Sequence, residues 1–300
     1  MRISKCSASA IKTYYHCPFK YMLEQLLKIR PPTGKAALQG TIVHQVFEWM
    51  AKLKKKDKTH IDPMWLLDQA WIWHTKLNPH IAIRRETSRG EAADFKKCRL
   101  CIEHIVNSDF NPYKMKIIDA ERWFEIQLEG DDWECTDEFH NNTQFTNRGL
   151  MDLVHEIDEN TIEIVDWKTG KREDFYTRKE YDFKKLLEDI QLRLYHFAAC
   201  KLYPQYKNIL ITFHFILDGG PITIPPTDYE IPLTIEALSK FFSTVKADTL
   251  IIRNRNWQCR MCGFQKEDAC NRIWSDLHTY GSEYIENKYG KNKQSCPKRV

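Results

Sequence analysis

Asp152, Asp166 and Lys168 carry the strongest chemical signal in this 300-residue chain. They lie in the stretch NRGLMDLVHEIDENTIEIVDWKTG, residues 147–170. It reads as two β-strands, 148–157 and 161–168, rich in Val, Ile and Leu and joined by the turn signal Asp158-Glu159-Asn160. Each aspartate is seven residues from Glu159, so a hairpin closed there sets the two carboxylates opposite one another on neighbouring strands. Facing Cβ atoms in such a pair are about 4.5–5.5 Å apart. One hard divalent cation can bridge them, since Mg2+ and Mn2+ take oxygen ligands. Bound metal lowers the pKa of a water nucleophile and neutralises charge on a phosphate. Strand alternation puts Lys168 on the face of Asp166, where an ammonium stabilises developing negative charge, with Val165 and Trp167 on the other face. The bare pattern also fits a surface hairpin with weak ion pairs.

The second chemical signal is Cys259-x-x-Cys262-x7-Cys270, three of the ten cysteines in a short Gly-containing segment. Closely spaced thiols hold tetrahedral zinc or an iron–sulfur cluster, and a [4Fe–4S] cluster needs a fourth thiolate from elsewhere in the chain. Cys98-x-x-Cys101 sits in an amphipathic pattern between Phe95 and Ile105 without knuckle residues, so it reads as buried thiols before half of a four-cysteine zinc site. On the residues alone Cys17 also reads as a buried thiol.

These groups need a scaffold. Residues 7–28 suggest two short helices broken at Cys17-Pro18, the first capped by Ser7 or Ser9. AALQGTIVHQVFEWMAKL is a helix with an apolar stripe through Val43, Val46, Phe47 and Met50, and His44 and Glu48 share a face. A basic connector, 52–60, leads to a helix opened by Asp62-Pro63. Its Trp65, Trp71 and Trp73 read as packing residues, with stacking platforms for single-stranded bases as the alternative. A helix at 89–108 and a strand at 117–128 containing Glu121 follow, then a polar loop or short hairpin. A helix at 182–203 sets Gln191 and Tyr195 one turn apart. A hairpin turning at Asp218-Gly219-Gly220 and a helix from Thr234 to Ile252 complete the pattern.

The net charge of +4 is mild, but Lys52–Lys58, Arg84-Arg85, Arg253 with Arg255, and Lys288–Arg299 form basic stretches able to follow a phosphate backbone. No apolar run approaches the ~18 residues of a membrane span and no export signal is visible, so a cytoplasmic or nuclear setting is expected and membrane association is not.

GLMDLV and IEIVDWKTG resemble motifs II and III of the PD-(D/E)XK nuclease superfamily, specifically its RecB-type branch. SASAIKTYYHCPFKY, the G-x-x-x-H-x-x-x-E pattern from Gly40 to Glu48, and QLRLY as Q-x-x-x-Y extend the resemblance over nearly the whole chain. It is similar to the CRISPR-associated RecB-like exonucleases, the AddB nuclease domain and eukaryotic exonuclease V.

The resemblance implies a mixed α/β sheet flanked by helices, a helical insert, and an iron–sulfur clasp drawn from both termini. It implies that His44, Asp152, Asp166 and the Trp167 carbonyl hold Mg2+ or Mn2+, that Lys168 is catalytic, and that Gln191 and Tyr195 act beside them. Glu121 lies where related nucleases often carry an acid, and Glu48 is left between helix support and a supporting role at the site. Cys17, Cys259, Cys262 and Cys270 would hold a [4Fe–4S] cluster, with Cys6 or Cys296 as substitutes and zinc as the rival occupant.

The expected organisation is N-terminal helices over 1–30, a helical region over 35–115, the nuclease core over 116–235 and the cysteine region over 236–300. The implied activity is hydrolysis of DNA, a single strand with a free end, in DNA processing, recombination or repair. The alternatives are a nuclease subunit working with a separate helicase or integrase-type partner, and a non-catalytic DNA-binding adaptor.

Overall fold

The computed structural model describes residues 3–29, 31, 33–137, 140–174, 177–247, 252–266 and 269–289. They divide into two units, one of Gly34–Leu128 and Thr146–Ser239, the other of Met1–Thr33, Glu129–Phe145 and Lys240–Val300.

The first of these carries the long sheet. Its strands are β1 (Lys116–Gln127), β2 (Thr146–Asp158), β3 (Thr161–Lys168), β4 (Asn208–Phe215) and β5 (Gly220–Ile224). They pair in that order, antiparallel except for β3 and β4, which are parallel. A parallel neighbour needs a crossover, and here it is made by α4 (Phe183–Leu187) and α5 (Ile190–Leu202). Asp182 and Asp189 end the preceding segments by accepting from Lys185 N and Gln191 N, so the helix expected over 182–203 is split in two.

The β2–β3 turn runs through Glu159 and Asn160, with Asp158 Oδ1 accepting from Asn160 N at 2.8 Å. The ladder pairs Leu153 with Val165 and Glu156 with Ile162, then shifts before Asp158. The shift bulges Ile157 outward and restores the register that brings Asp152 alongside Asp166.

Helices α1 (Lys35–Lys54), α2 (Pro63–Leu77) and α3 (Ala93–Val106) pack on one face. Ile42, Val46, Phe47 and Met50 of α1 share a core with Leu67, Trp71, Ile102, Val165 and Trp167. On the other face Leu192, Tyr195 and Ala198 of α5 pack with Met151, Ile162, Ile164 and Phe213. Truncating one of the fully buried members, such as Ile164→Ala, should cost about 2–5 kcal/mol. Asp62 caps α2 through Met64 N, with Pro63 at the first helical position. Cys98 and Cys101 are fully buried in the α1–α3 core, and burial pushes their thiols up to about 12 and about 11. The helix expected from 89 starts at Ala93, because Glu86–Thr87 and Gly90–Glu91 form a small hairpin first.

In the other unit, helix Ala8–His16 is capped by Ser7 and stops at Cys17, whose backbone is extended (φ −155, ψ 99) before Pro18. Helix Pro18–Tyr21 follows, then a π-turn over Met22–Leu26. Phe19, Met22, Leu23 and Leu27 pack with Phe264, Ala269, Ile273 and Ile285. The polar segment before β2 forms a short hairpin, Glu134–Thr136 with Asn142–Gln144. The helix expected from Thr234 to Ile252 is described over Glu230–Ala247; residues 248–251, and Cys296 with the basic tail beyond 289, lie outside the described residues. No helix among the described residues is long and apolar enough to cross a membrane.

Candidate active site

Where the β2–β3 ladder ends, the Trp167 N–H donates to Asp152 Oδ2 at 2.9 Å. His44 descends onto this point from α1. Its Nδ1 lies 3.3 Å from Asp152 Oδ2, and its Nε2 lies 2.9 Å from the Trp167 carbonyl oxygen. Gly40, one turn earlier, makes the approach feasible: a Cβ there would stand 3.2 Å from Thr169 Oγ1. Glu121 comes from β1, opposite Asp152 between the pairs Ala120–Leu153 and Arg122–Met151. Its φ of 50 lies in the left-handed region, a conformation that costs a non-glycine residue about 1–3 kcal/mol and concentrates at functional sites. His44, Glu121 and Asp152 each offer a ligand atom within 4.8 Å of the others.

Asp166 faces the α5 side and is 3 % exposed. Its Oδ1 lies 2.8 Å from Gln191 Nε2, which donates, and 3.0 Å from the Tyr195 hydroxyl. That hydroxyl also lies 2.7 Å from the Leu150 carbonyl and has one proton for the two acceptors. Lys168 Nζ donates to Gln191 Oε1 at 3.1 Å and sits above the Phe213 ring. It also forms an ion pair with Asp166 Oδ2 at 2.5 Å.

The electrostatics fit an assembly short of positive charge. Burial opposes protonation of His44, but Asp152, then Asp166 and Glu121, outweigh it and lift the imidazole to about 9. Burial likewise works against the charged form of Asp152, yet His44 and the Trp167 N–H hold its carboxyl below the ordinary range. Asp166 goes the other way: burial raises it, Lys168 opposes, and the facing Asp152 adds to the rise. Lys168 is held above its usual value by Asp166, against burial. Like charges packed together push pKa values apart, and a divalent cation removes that conflict. The carboxylates of Glu121 and Asp152 with the His44 imidazole, beside the Trp167 carbonyl, are a donor set that fits Mg2+ or Mn2+.

His44, Asp152, Asp166, Lys168, Gln191, Tyr195 and the Trp167 carbonyl are therefore brought together. Glu121 joins them; nothing in the sequence pattern signals its left-handed backbone, and only a loose positional likeness hinted at it. Glu48 turns to Gln45 and Lys52 and contacts none of these groups.

The cysteines are placed differently. Cys17, Cys262 and Cys270 border the apolar core of the unit that lacks the long sheet. Burial raises Cys270, Arg253 at its sulfur opposes, and the neighbouring Cys17 and Cys262 raise it further. The Cys259 thiol instead donates to the Asn254 carbonyl at 3.6 Å. The thiol donors suit a soft metal or cluster, with Cys17, Cys262 and Cys270 at the edge of one apolar core and Cys259 held locally.

The family model for the PD-(D/E)XK nuclease superfamily matches residues 5–270. Among solved structures, the chain is similar to a "Putative exonuclease" from Eubacterium rectale, with 16% identity, 88% of each chain covered and a TM-score of 0.53, a likeness of fold. It also overlaps SSO0001 at 12% identity over 83% of this chain and 92% of that one, with a TM-score of 0.30. No curated protein matches the sequence.

Proposed function

The chain belongs to the PD-(D/E)XK nuclease superfamily, hydrolytic enzymes that use divalent metals on DNA, and from that premise we propose that it is a RecB-type exonuclease acting on single-stranded DNA with a free end. The observation that carries the proposal is the grouping of His44, Glu121 and Asp152, whose ligand atoms lie within 4.8 Å of one another, with the Asp166–Lys168 pair beside them where β2 and β3 part. His44, Glu121, Asp152, Asp166 and the Trp167 carbonyl would hold Mg2+ or Mn2+. When bound, the metal polarises the phosphate and acidifies a water. Lys168, raised above its ordinary pKa and kept charged, orients that water and meets the negative charge that develops on the phosphate. Gln191 positions Lys168 through Oε1 and Asp166 through Nε2. Tyr195, raised well above its usual range by burial and the two aspartates, stays a neutral donor that fixes Asp166.

A [4Fe–4S] cluster on Cys17, Cys259, Cys262 and Cys270 belongs to the same proposal. Zinc at the same thiols is the rival occupant. The enzyme would act in DNA processing, recombination or repair within a reducing compartment, alone or beside a separate helicase or integrase-type chain.

The test is digestion of end-labelled linear and circular single strands with Mg2+ or Mn2+. Loss of the linear strand alone supports the proposal. Equal cutting of circles makes the enzyme an endonuclease, and no cutting with either metal leaves a DNA-binding adaptor.

A further inference from the structure

Helix α2 has two faces. Leu66, Leu67, Ala70 and Trp71 are buried against α1 and α3. Beside them Trp65, Ile72, Trp73 and Leu77 are exposed at 54, 55, 60 and 52 %. At 3.6 residues per turn Trp65, Trp73 and Leu77 follow one i, i+4 row that runs about 18 Å along the helix and winds about 120° around it, with Ile72 beside Trp65, and nothing in the metal site uses this row. A contiguous apolar patch on a soluble protein usually meets a partner.

The charge around the stripe narrows what that partner is. Residues 52–85 hold eight Lys and Arg against three Asp and no Glu, an excess larger than the +4 of the whole chain. Of the acids, Asp62 caps α2 and Asp68 is paired with Arg85. Of the bases, Lys52 is committed to Glu48 and Lys55 to the Ile118 carbonyl, while Lys56 and Lys58 before the helix, and Lys76 and Arg84 at and beyond its far end, are exposed. Two indole planes between cationic ends match a polyanion that carries flat apolar rings. Base–aromatic stacking with phosphate neutralisation is how single strands are bound without sequence preference. A duplex keeps its bases stacked inside and gains only the charge term.

We propose that the exposed face of α2, through Trp65 and Trp73 with Lys56, Lys58, Lys76 and Arg84, is a second nucleic-acid site that stacks the bases of a single strand away from the metal-binding residues. For its purpose, holding the strand that is being cut, it rests on the nuclease reading; the binding itself does not. Ile72 and Leu77 widen the apolar floor between and beyond the rings.

The experiment measures binding of a fluorescein-labelled oligothymidylate and of a blunt duplex in EDTA, so that cleavage plays no part. Two double variants are compared with wild type. W65L/W73L keeps apolar area and removes the rings, and W65F/W73F keeps a ring at both positions. The proposal expects the Leu pair to weaken single-strand binding about tenfold or more, the Phe pair to retain most of it, and neither to change duplex binding. Lys56→Ala with Lys58→Ala should flatten the salt dependence. Wild-type affinity in the Leu pair, equal losses in the Leu and Phe pairs, or equal losses on duplex would overturn it. So would a wild-type dimer that the Leu pair dissociates, which would make a second copy the occupant. Metal-dependent cleavage of a trinucleotide should be unchanged in either pair. If wild type cuts nothing yet the Leu pair alone loses the single strand, the nuclease reading fails and this site stands.

Discussion

The proposed metal-binding residues and the proposed cluster cysteines are two sets built in opposite ways. His44, Glu121, Asp152 and Asp166 come from α1, β1, β2 and β3, and each is fixed by pairing or packing that exists without a metal. Backbone groups even assist, through the Trp167 N–H and carbonyl. Cys17 lies 242 residues before Cys259 in the chain, no ladder joins them, and the Cys259 thiol is spent on its own loop. A site framed by strand register is preorganised by the fold. A site framed by distant loop thiols depends on the group it holds, which closes the long loop as it binds.

That contrast breaks first at the residues proposed to be catalytic. Lys168→Ala or Asp166→Asn should lower the rate of DNA cleavage by about 10²–10³-fold with little change in the melting temperature of the metal-free protein; a large stability loss would mean the acids are structural. Stripping the protein with an iron chelator should lower the melting temperature by several degrees, whereas removing Mg2+ or Mn2+ with EDTA should shift it little, and equal shifts would erase the distinction between the two sets.

Glu121→Gly sharpens it further. Glycine accepts a φ of 50 without penalty, so the variant should fold at least as stably as wild type while Mn2+ affinity falls, about 10–100-fold. The smallest effect is a pH dependence. In the metal-free protein His44 is raised from 6.5 to about 9, so its contribution to stability is complete below about pH 6.5 and is lost as pH rises through about 9. A cation competes for the same lone pair, so Mn2+ affinity should rise with pH and level off near 9, as read by calorimetric titration at several pH values.

Much of the scaffold was written in local signals. Pro after Cys17, Asp62-Pro63, and the alternating Val and Ile around Asp158-Glu159-Asn160 each have a short-range cause, and each appears where expected. The Asp152–Asp166 register was reached through a coincidence: the turn centres between Glu159 and Asn160, half a residue later than assumed, and the Ile157 bulge cancels the offset. The hairpin at 86–91 was missed because RETSRGE has no alternation, only a Gly90 at φ 102 that lets the chain turn. His44 was nominated by a family pattern, since one imidazole on an amphipathic helix says nothing about what faces it. Glu121 needed coordinates, because its left-handed φ of 50 leaves no trace in the residue pattern.

The account stands on one claim, that these acids and His44 form a cation site before any cation arrives. Mn2+ titration followed by electron paramagnetic resonance tests it directly. Wild type should bind Mn2+ stoichiometrically, and Asp152→Asn should lose that binding together with cleavage. Undiminished stoichiometric binding in Asp152→Asn would place the metal elsewhere and contradict the account.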